Sequence, residues 1–188
     1  MKKINVGING LGRIGRHLFR LFALDKDINI KIINEINPDI ENWVYTLNYD
    51  SIYGKSNLPL IIEEGKLKFG SEYINTFNEN NIDDVPWQEF DVDYIIESSG
   101  VMNNVLRARN ILKNKKIQQI LITNSAKDVD FTMVLGVNEN DFNPIKHKLI
   151  SSSICDATAI APITKIINDV FPIDSGTVTT LHPWLSYQ

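Results

Sequence analysis

The stretch INVGINGLGRIGRHLFRLFAL, Ile4 to Leu24, decides the fold. A short apolar run ends in a glycine turn, after which Ile14, Leu18, Leu21 and Phe22 recur at helical spacing, so the segment reads as strand, turn and helix. Within the turn, Gly10, Gly12 and Gly15 stand at the spacing G-x-G-x-x-G. Glycines there let backbone N–H groups and the positive end of the following helix approach a pyrophosphate. A bare match of this kind is weak, and its weight depends on the neighbouring chain.

The next segment is INIKIINE, Ile28 to Glu35, a second β-rich run at the distance expected of a βαβ unit. Glu35 lies 20 positions beyond Gly15, where a carboxylate can accept hydrogen bonds from a ribose diol. Outward from this unit, Asn37 is expected to cap a helix that begins at Pro38. The segment 58–77, with Glu64-Gly65 and Gly70-Ser71 as turns, reads as a small antiparallel excursion. Strands are expected at DYIIESSG, QQILITNS, TMVLGVN, KLISSS and GTVTTLH, and helices over 103–115 and 160–170. Strands alternating with helices predict an α/β fold, a doubly wound and mostly parallel sheet that takes ligands at the carboxyl ends of its strands.

Composition narrows the function classes. The 188 residues suffice for one complete core and part of a second. With 19 basic against 23 acidic residues and no long basic run, nucleic acid is not an expected partner. Asn5, Gly7, Asn9 and Gly10 break up any apolar leader after MKK, and no long uncharged apolar run occurs later, so neither a signal peptide nor a membrane partner is expected. A cytoplasmic protein is the expectation, and the lone Cys155 is then a free thiol. No metal site is assigned.

Cys155 comes after a β-run and precedes an apolar-periodic segment, so it is expected at a helix N-terminus, whose positive end suits an anionic sulfur. His182 closes the run TVTTLH, and a strand end at the ligand crevice is where a general base would stand. Taken alone, each residue has a plainer role, the cysteine as small core filler and the histidine as a surface residue.

The motifs VGINGLGRIGR, YDSIYGK, ESSGV and LGVN, with a cysteine at a helix start, resemble the glyceraldehyde-3-phosphate dehydrogenase family, and the resemblance runs from Ile4 to Gln188. It implies a Rossmann domain binding NAD over residues 1–153 and the beginning of a catalytic domain over 154–188. It further implies that Asn9, Gly10, Arg13 and Ile14 line the cofactor pyrophosphate with the Gly12 and Gly15 turn, Glu35 the adenine ribose, and Ser98, Ser99 and Gly100 the nicotinamide side. Cys155 falls on the family's nucleophile and His182 on its general base, acting on a small-molecule aldehyde through a thioester. The complete protein is a candidate homo-oligomer.

The chain departs from the resembled pattern around the sulfur. The family reads Ser-Cys-Thr-Thr-Asn where this sequence has Ile154-Cys155-Asp156-Ala157-Thr158, and its two phosphate-gripping threonines fall on Leu185 and Tyr187. Both phosphate sites are therefore expected to be altered. Two alternatives stand beside the aldehyde oxidoreductase: an NAD-binding module without catalysis, and a semialdehyde dehydrogenase-type relative.

Overall fold

The computed structural model describes residues 3–152 and 154–181. The opening stretch folds as β1 (Ile4–Asn9), a glycine turn and α1 (Arg13–Leu24), with β2 (Ile28–Asn34) then running parallel to β1. α1 turns a different face inward from the one expected. Phe19 is buried with Leu18 and Phe22 packed beside it, whereas Ile14 and Leu21 are about half exposed. The buried face includes a charged residue, Arg20, whose guanidinium donates to the carbonyls of Leu47 and Gly54. Hydrophobicity alone could not place it there.

α2 (Ile40–Asn48) begins later than the sequence suggested. Its cap is Asp39, whose side chain accepts from the Asn42 N–H. Asn37 and Pro38 lie outside the helix, and Asn37 instead turns the chain by accepting from the Asp39 N–H while its carbonyl accepts from the Trp43 indole. An Asn or Asp can make either motif, and the buried Trp43 decides between them. A two-stranded ribbon of β3 (Tyr49–Asp50) and β4 (Gly54–Lys55) comes next.

The antiparallel excursion comprises β5 (Leu60–Glu63), β6 (Lys66–Phe69) and β7 (Glu72–Phe77), and β7 then runs parallel to β2. β8 (Tyr94–Glu97), α3 (Met102–Leu112) and β9 (Gln119–Ile122) continue the alternation. The expected strand TMVLGVN is largely absent. Only β10 (Phe131–Thr132) pairs, because Asn138 folds back to accept from the Val134 N–H and donate to the Thr132 carbonyl, closing a turn around Gly136. β11 (Leu149–Ser151) and α4 (Cys155–Val170) complete the regular elements, α4 starting a full turn and more before Ile160. The run GTVTTLH forms no strand through Leu181, and His182 lies outside the described residues, as do Leu185 and Tyr187.

Nine strands make one sheet in the order β10-β11-β9-β8-β1-β2-β7-β6-β5, parallel except for the β5-β6-β7 edge. β1, β2 and β8 are apolar on both faces because both are covered. Val6, Ile8, Ile33 and Ile96 join Phe19, Trp43 and Leu47 on the α1 and α2 side. Ile32 and Ile95 join Val105, Ala108 and Trp87 on the α3 side. From β1 the chain moves to β2 on one side and returns as β8 on the other, so the order reverses at β1. A crevice must open there, between loops that leave in opposite directions. Among the described residues no helix is long and apolar enough to cross a membrane.

Candidate functional site

The crevice at the carboxyl ends of β1, β2, β7 and β8 holds a cavity of about 230 Å³ lined by Asn9, Gly10, Gly12, Asn34, Glu35, Ile36, Glu79, Asn80, Ser99, Val101 and Asn104. The glycines of the turn divide into two kinds. Gly10 has φ +93°, and a Cβ there would lie 2.6 Å from the Ser99 Cα; Gly15 would place a Cβ 1.9 Å from the Gly10 carbonyl oxygen. These two are required by the protein itself. A Cβ on Gly12 would meet no protein atom within 4 Å, yet Gly12 lines the cavity. Its missing side chain leaves room for something outside the protein, which is the cradle a dinucleotide's phosphates need.

The electrostatics of the turn agree. Gly12 is the N-cap of α1, no side chain caps that helix, and no acidic residue stands in its first turn. An uncapped helix N-terminus beside an open backbone is a ready anion site. Ser98 is buried and holds the turn in place, donating to the Gly10 carbonyl at 2.8 Å and the Asn9 carbonyl at 3.1 Å. Glu35, at the end of β2, accepts from the Leu11 N–H at 2.6 Å and the Asn37 N–H at 3.2 Å. Glu35 lines the cavity, and a carboxylate that accepts these two bonds still has acceptor capacity for a diol.

Of the residues singled out from sequence, Asn9, Gly10, Gly12, Glu35 and Ser99 come together on the cavity wall. Arg13 and Ile14 begin α1 and are exposed, Gly15 packs beneath the turn, Ser98 supports it, and Gly100 has φ +77° beyond it. Sequence reasoning missed Asn34, Ile36, Glu79, Asn80, Val101 and Asn104, which complete the wall, and Glu97, which lies beneath it. Asn34 stands one residue before Glu35 and could have been found from that adjacency. Glu79 and Asn104 come from distant elements and carry no spacing signal.

Cys155 is the first residue of α4, is exposed, and has φ +34°, an uncommon backbone conformation for a residue with a side chain. Its Sγ lies 3.7 Å from the Ser125 Oγ, past the end of β9. Asp156 stands in the same first turn. No residue of α4 is buried; Ile163, Ile166, Ile167 and Val170 are all well exposed.

A mostly parallel sheet whose order reverses at β1, an open backbone at Gly12 on the cavity wall and a carboxylate at the end of β2 define a Rossmann-type dinucleotide-binding domain. Residues 4–105 match the sequence profile of "Glyceraldehyde 3-phosphate dehydrogenase, NAD binding domain". The chain belongs to the glyceraldehyde-3-phosphate dehydrogenase family, and the cofactor of its Rossmann domain is NAD. It is 36% identical over 186 residues to "Glyceraldehyde-3-phosphate dehydrogenase 2" of Streptomyces avermitilis, covering 98% of this chain and 55% of that protein. It is 38% identical over 177 residues to "Glyceraldehyde-3-phosphate dehydrogenase 1" of Schizosaccharomyces pombe, 94% of this chain and 52% of that one. With "Glyceraldehyde-3-phosphate dehydrogenase 2" of Bacillus subtilis the identity is 32%, over 99% and 54%. The chain spans about half the length of the curated relatives it matches.

Proposed function

We propose that the chain is the cofactor-binding part, residues 1–153, and the beginning of the catalytic part, residues 154–188, of an NAD-dependent aldehyde oxidoreductase with an altered phosphate site. The observation that carries the reading is the cavity in which Gly12 leaves room for phosphates and Glu35 offers acceptors to a ribose. In this reading the glycine turn over 10–15 and the α1 N-terminus hold the pyrophosphate, Glu35 the adenine ribose, and the Ser99 and Gly100 turn the nicotinamide half. Bound NAD supplies the hydride acceptor.

The chain's own chemistry begins at Cys155. Its thiolate attacks the aldehyde carbon, forming a C–S bond while the carbonyl oxygen takes the electron pair and a proton. His182 removes that proton as the C–H bond gives up its hydride, leaving an acyl thioester on sulfur. An acyl acceptor then releases the carboxyl product and returns the thiolate. The exposure and strained backbone of Cys155 at a helix start support this role. Asp156 and Ile154 beside it support a substrate or acceptor other than the family's phosphorylated one.

The test is two measurements on the same protein. NAD titrated by calorimetry should bind at one site per chain, and Gly12→Ala should weaken it. An aldehyde-dependent loss of iodoacetamide labelling at Cys155 should report the covalent step. NAD binding without aldehyde protection would leave a cofactor-binding module; absence of both would end the reading.

A further inference from the structure

Beneath the cavity lies a carboxylate that the chemistry above does not use. Glu97, at the end of β8, is 1% exposed. One oxygen accepts from Asn9 Nδ2 at 2.5 Å and Asn104 Nδ2 at 3.3 Å; the other accepts from the Ser99 N–H at 2.8 Å and from the Ser99 hydroxyl. Each of these donors belongs to a residue that lines the cavity. The network continues past them. Asn34 Nδ2 donates to Asn9 Oδ1 at 2.7 Å and to the Glu79 carbonyl at 2.9 Å, and Asn34 Oδ1 accepts from the Glu79 N–H at 2.8 Å.

The direction of this relay is set by donor and acceptor counts. An ionised carboxylate only accepts, so Asn9 must turn its NH₂ toward Glu97. Its oxygen then faces Asn34, whose NH₂ must point at Asn9 and whose oxygen is left for the Glu79 N–H. One buried charge therefore orients Asn9 and Asn104 and, through Asn9, ties them to Asn34, which the Glu79 backbone holds in the matching orientation on the far wall. A neutral group able to donate would remove that constraint on Asn9 and Asn104 at the Glu97 end of the relay, while the Glu79 N–H still holds Asn34 from the other.

We propose that Glu97, in its ionised form, is a positioning residue for the dinucleotide: it sets the amide relay that fixes both walls of the cleft. The proposal rests on the reading of this cleft as the NAD site. No charged side chain donates to Glu97 among the described residues. β1 and β9 carry no charged residue, and Arg107 and Arg109 of α3 are paired with Asp83 and Asp130. Asp84 adjoins Asp83, and the other carboxylates nearby, Glu35 and Glu79, line the cavity. Burial holds the Glu97 carboxyl above the ordinary glutamate value of 4.5, against the hydrogen bonds from Ser99, Asn9 and Asn104, which favour ionisation. The folded protein thus keeps the charge at a cost to its own stability.

That cost separates positioning from mere structure. Glu97→Gln should melt at the same or a higher temperature, yet bind NAD about tenfold more weakly at pH 8, as expected for losing one charge-assisted hydrogen bond to the wall. The ratio of the two dissociation constants should fall toward one as the pH is lowered, because a protonated Glu97 carboxyl and the amide that replaces it in the variant both offer a donor and an acceptor. The two proteins differ at this position alone, so the ratio isolates Glu97. Equal affinities, a ratio independent of pH, or weaker binding accompanied by a lower melting temperature would each overturn the proposal. If the unaltered chain does not bind NAD, the proposal falls with the cofactor reading; if it binds and the ratio stays flat, only the proposal falls. Should the variant not fold, the unaltered protein decides: the side-chain amide resonances of Asn34, which does not touch Glu97, should shift with the Glu97 carboxyl midpoint, and an Asn34 signal that ignores it overturns the relay.

Discussion

The Glu35 carboxylate accepts from the Leu11 backbone N–H at 2.6 Å, so the end of β2 is tied directly to the glycine turn that leaves β1. This bond holds the carboxylate on the cavity wall, where the proposed reading places the adenine ribose. A 2′-phosphate would face that charge, and the segment 34–39 holds no Arg or Lys to offset it. NAD should bind at least about tenfold more tightly than NADP, a difference of about 1.4 kcal/mol. Glu35→Gln should narrow the gap by weakening NAD and sparing NADP. Calorimetric titration of both nucleotides checks this, and equal affinities in the unaltered chain would remove the role given to Glu35.

The two kinds of glycine in the turn should separate stability from binding. Gly10→Ala places a methyl group 2.6 Å from the Ser99 Cα at φ +93°, which should cost about 2–4 kcal/mol in urea denaturation. Gly12→Ala meets no protein atom and should change stability by less than about 1 kcal/mol. If the pyrophosphate sits against this turn as proposed, the change should nevertheless weaken NAD binding about tenfold or more, since its methyl group would fill backbone space the phosphates need. A Gly12→Ala protein that binds normally would show that the phosphates sit elsewhere.

What was legible in the sequence divides along the same line. The strand, turn and helix from Ile4 to Leu24, the return at Ile28 and the carboxylate at Glu35 are local patterns, and local patterns fix the sheet and half the cavity wall. Glu79 and Asn104 reach the site through tertiary packing of elements far apart in the chain, which no spacing rule encodes, whereas Glu97 directly precedes Ser98 and only its burial beneath the wall was not legible. The misplaced cap at Asn37 and the unmade strand at TMVLGVN fail for a related reason. Asn37 and Asn138 each have a side chain able to bond the backbone in two ways, and the neighbours that choose, Trp43 and Thr132, act only once folded.

Asp130 offers a pH prediction far from the cofactor cleft. It accepts from the Lys148 and Leu149 N–H groups at 2.8 and 2.9 Å and from Arg109 at 2.9 Å, tying α3 to the start of β11. Burial opposes its ionisation, but the Leu149 N–H, Arg109 and the Lys148 N–H outweigh it and hold the carboxyl below its ordinary 3.8. A depressed carboxyl contributes stability that is fully present above that value and lost as the pH falls through the folded one. Asp130→Asn should therefore lose about 1 kcal/mol near neutral pH, with the difference from the unaltered protein shrinking below pH 3.8. Thermal melts of both proteins across the acid range measure it.

The exposure of Cys155 sets its accessibility. Iodoacetamide should modify it in the folded chain at a rate within a few-fold of that in urea, because no unfolding step is needed to reach the sulfur. Ser125→Ala removes the hydroxyl 3.7 Å from Sγ and should leave the reaction fast, so that any slowing identifies the hydroxyl as a partner of the reactive form. Strong protection in the folded state would return Cys155 to the role of packed filler.

The last prediction concerns the acyl acceptor of the proposed reaction. A thioester on Cys155 would be flanked by Ile154, which offers no side-chain hydrogen bond, and by Asp156 in the first turn of α4. The first-turn carboxylate favours the helix, through the same positive N-terminus an incoming phosphate would seek, so the two anions compete for one field. Unit charges about 4 Å apart repel by about 4 kcal/mol at an effective dielectric of 20, against which one hydrogen bond of about 1–3 kcal/mol is a poor offset. Phosphate should therefore be excluded, and aldehyde oxidation in the intact protein should proceed with water or another neutral acceptor, or fail to turn over. The measurement is NADH formation over a panel of aldehydes, with and without phosphate or arsenate at fixed ionic strength. Asp156→Thr should bring in phosphate stimulation that the unaltered protein lacks, because it exchanges the repelling charge for a hydroxyl donor. Saturable, many-fold stimulation of the unaltered protein by millimolar phosphate would mean that an anion site survives beside Asp156.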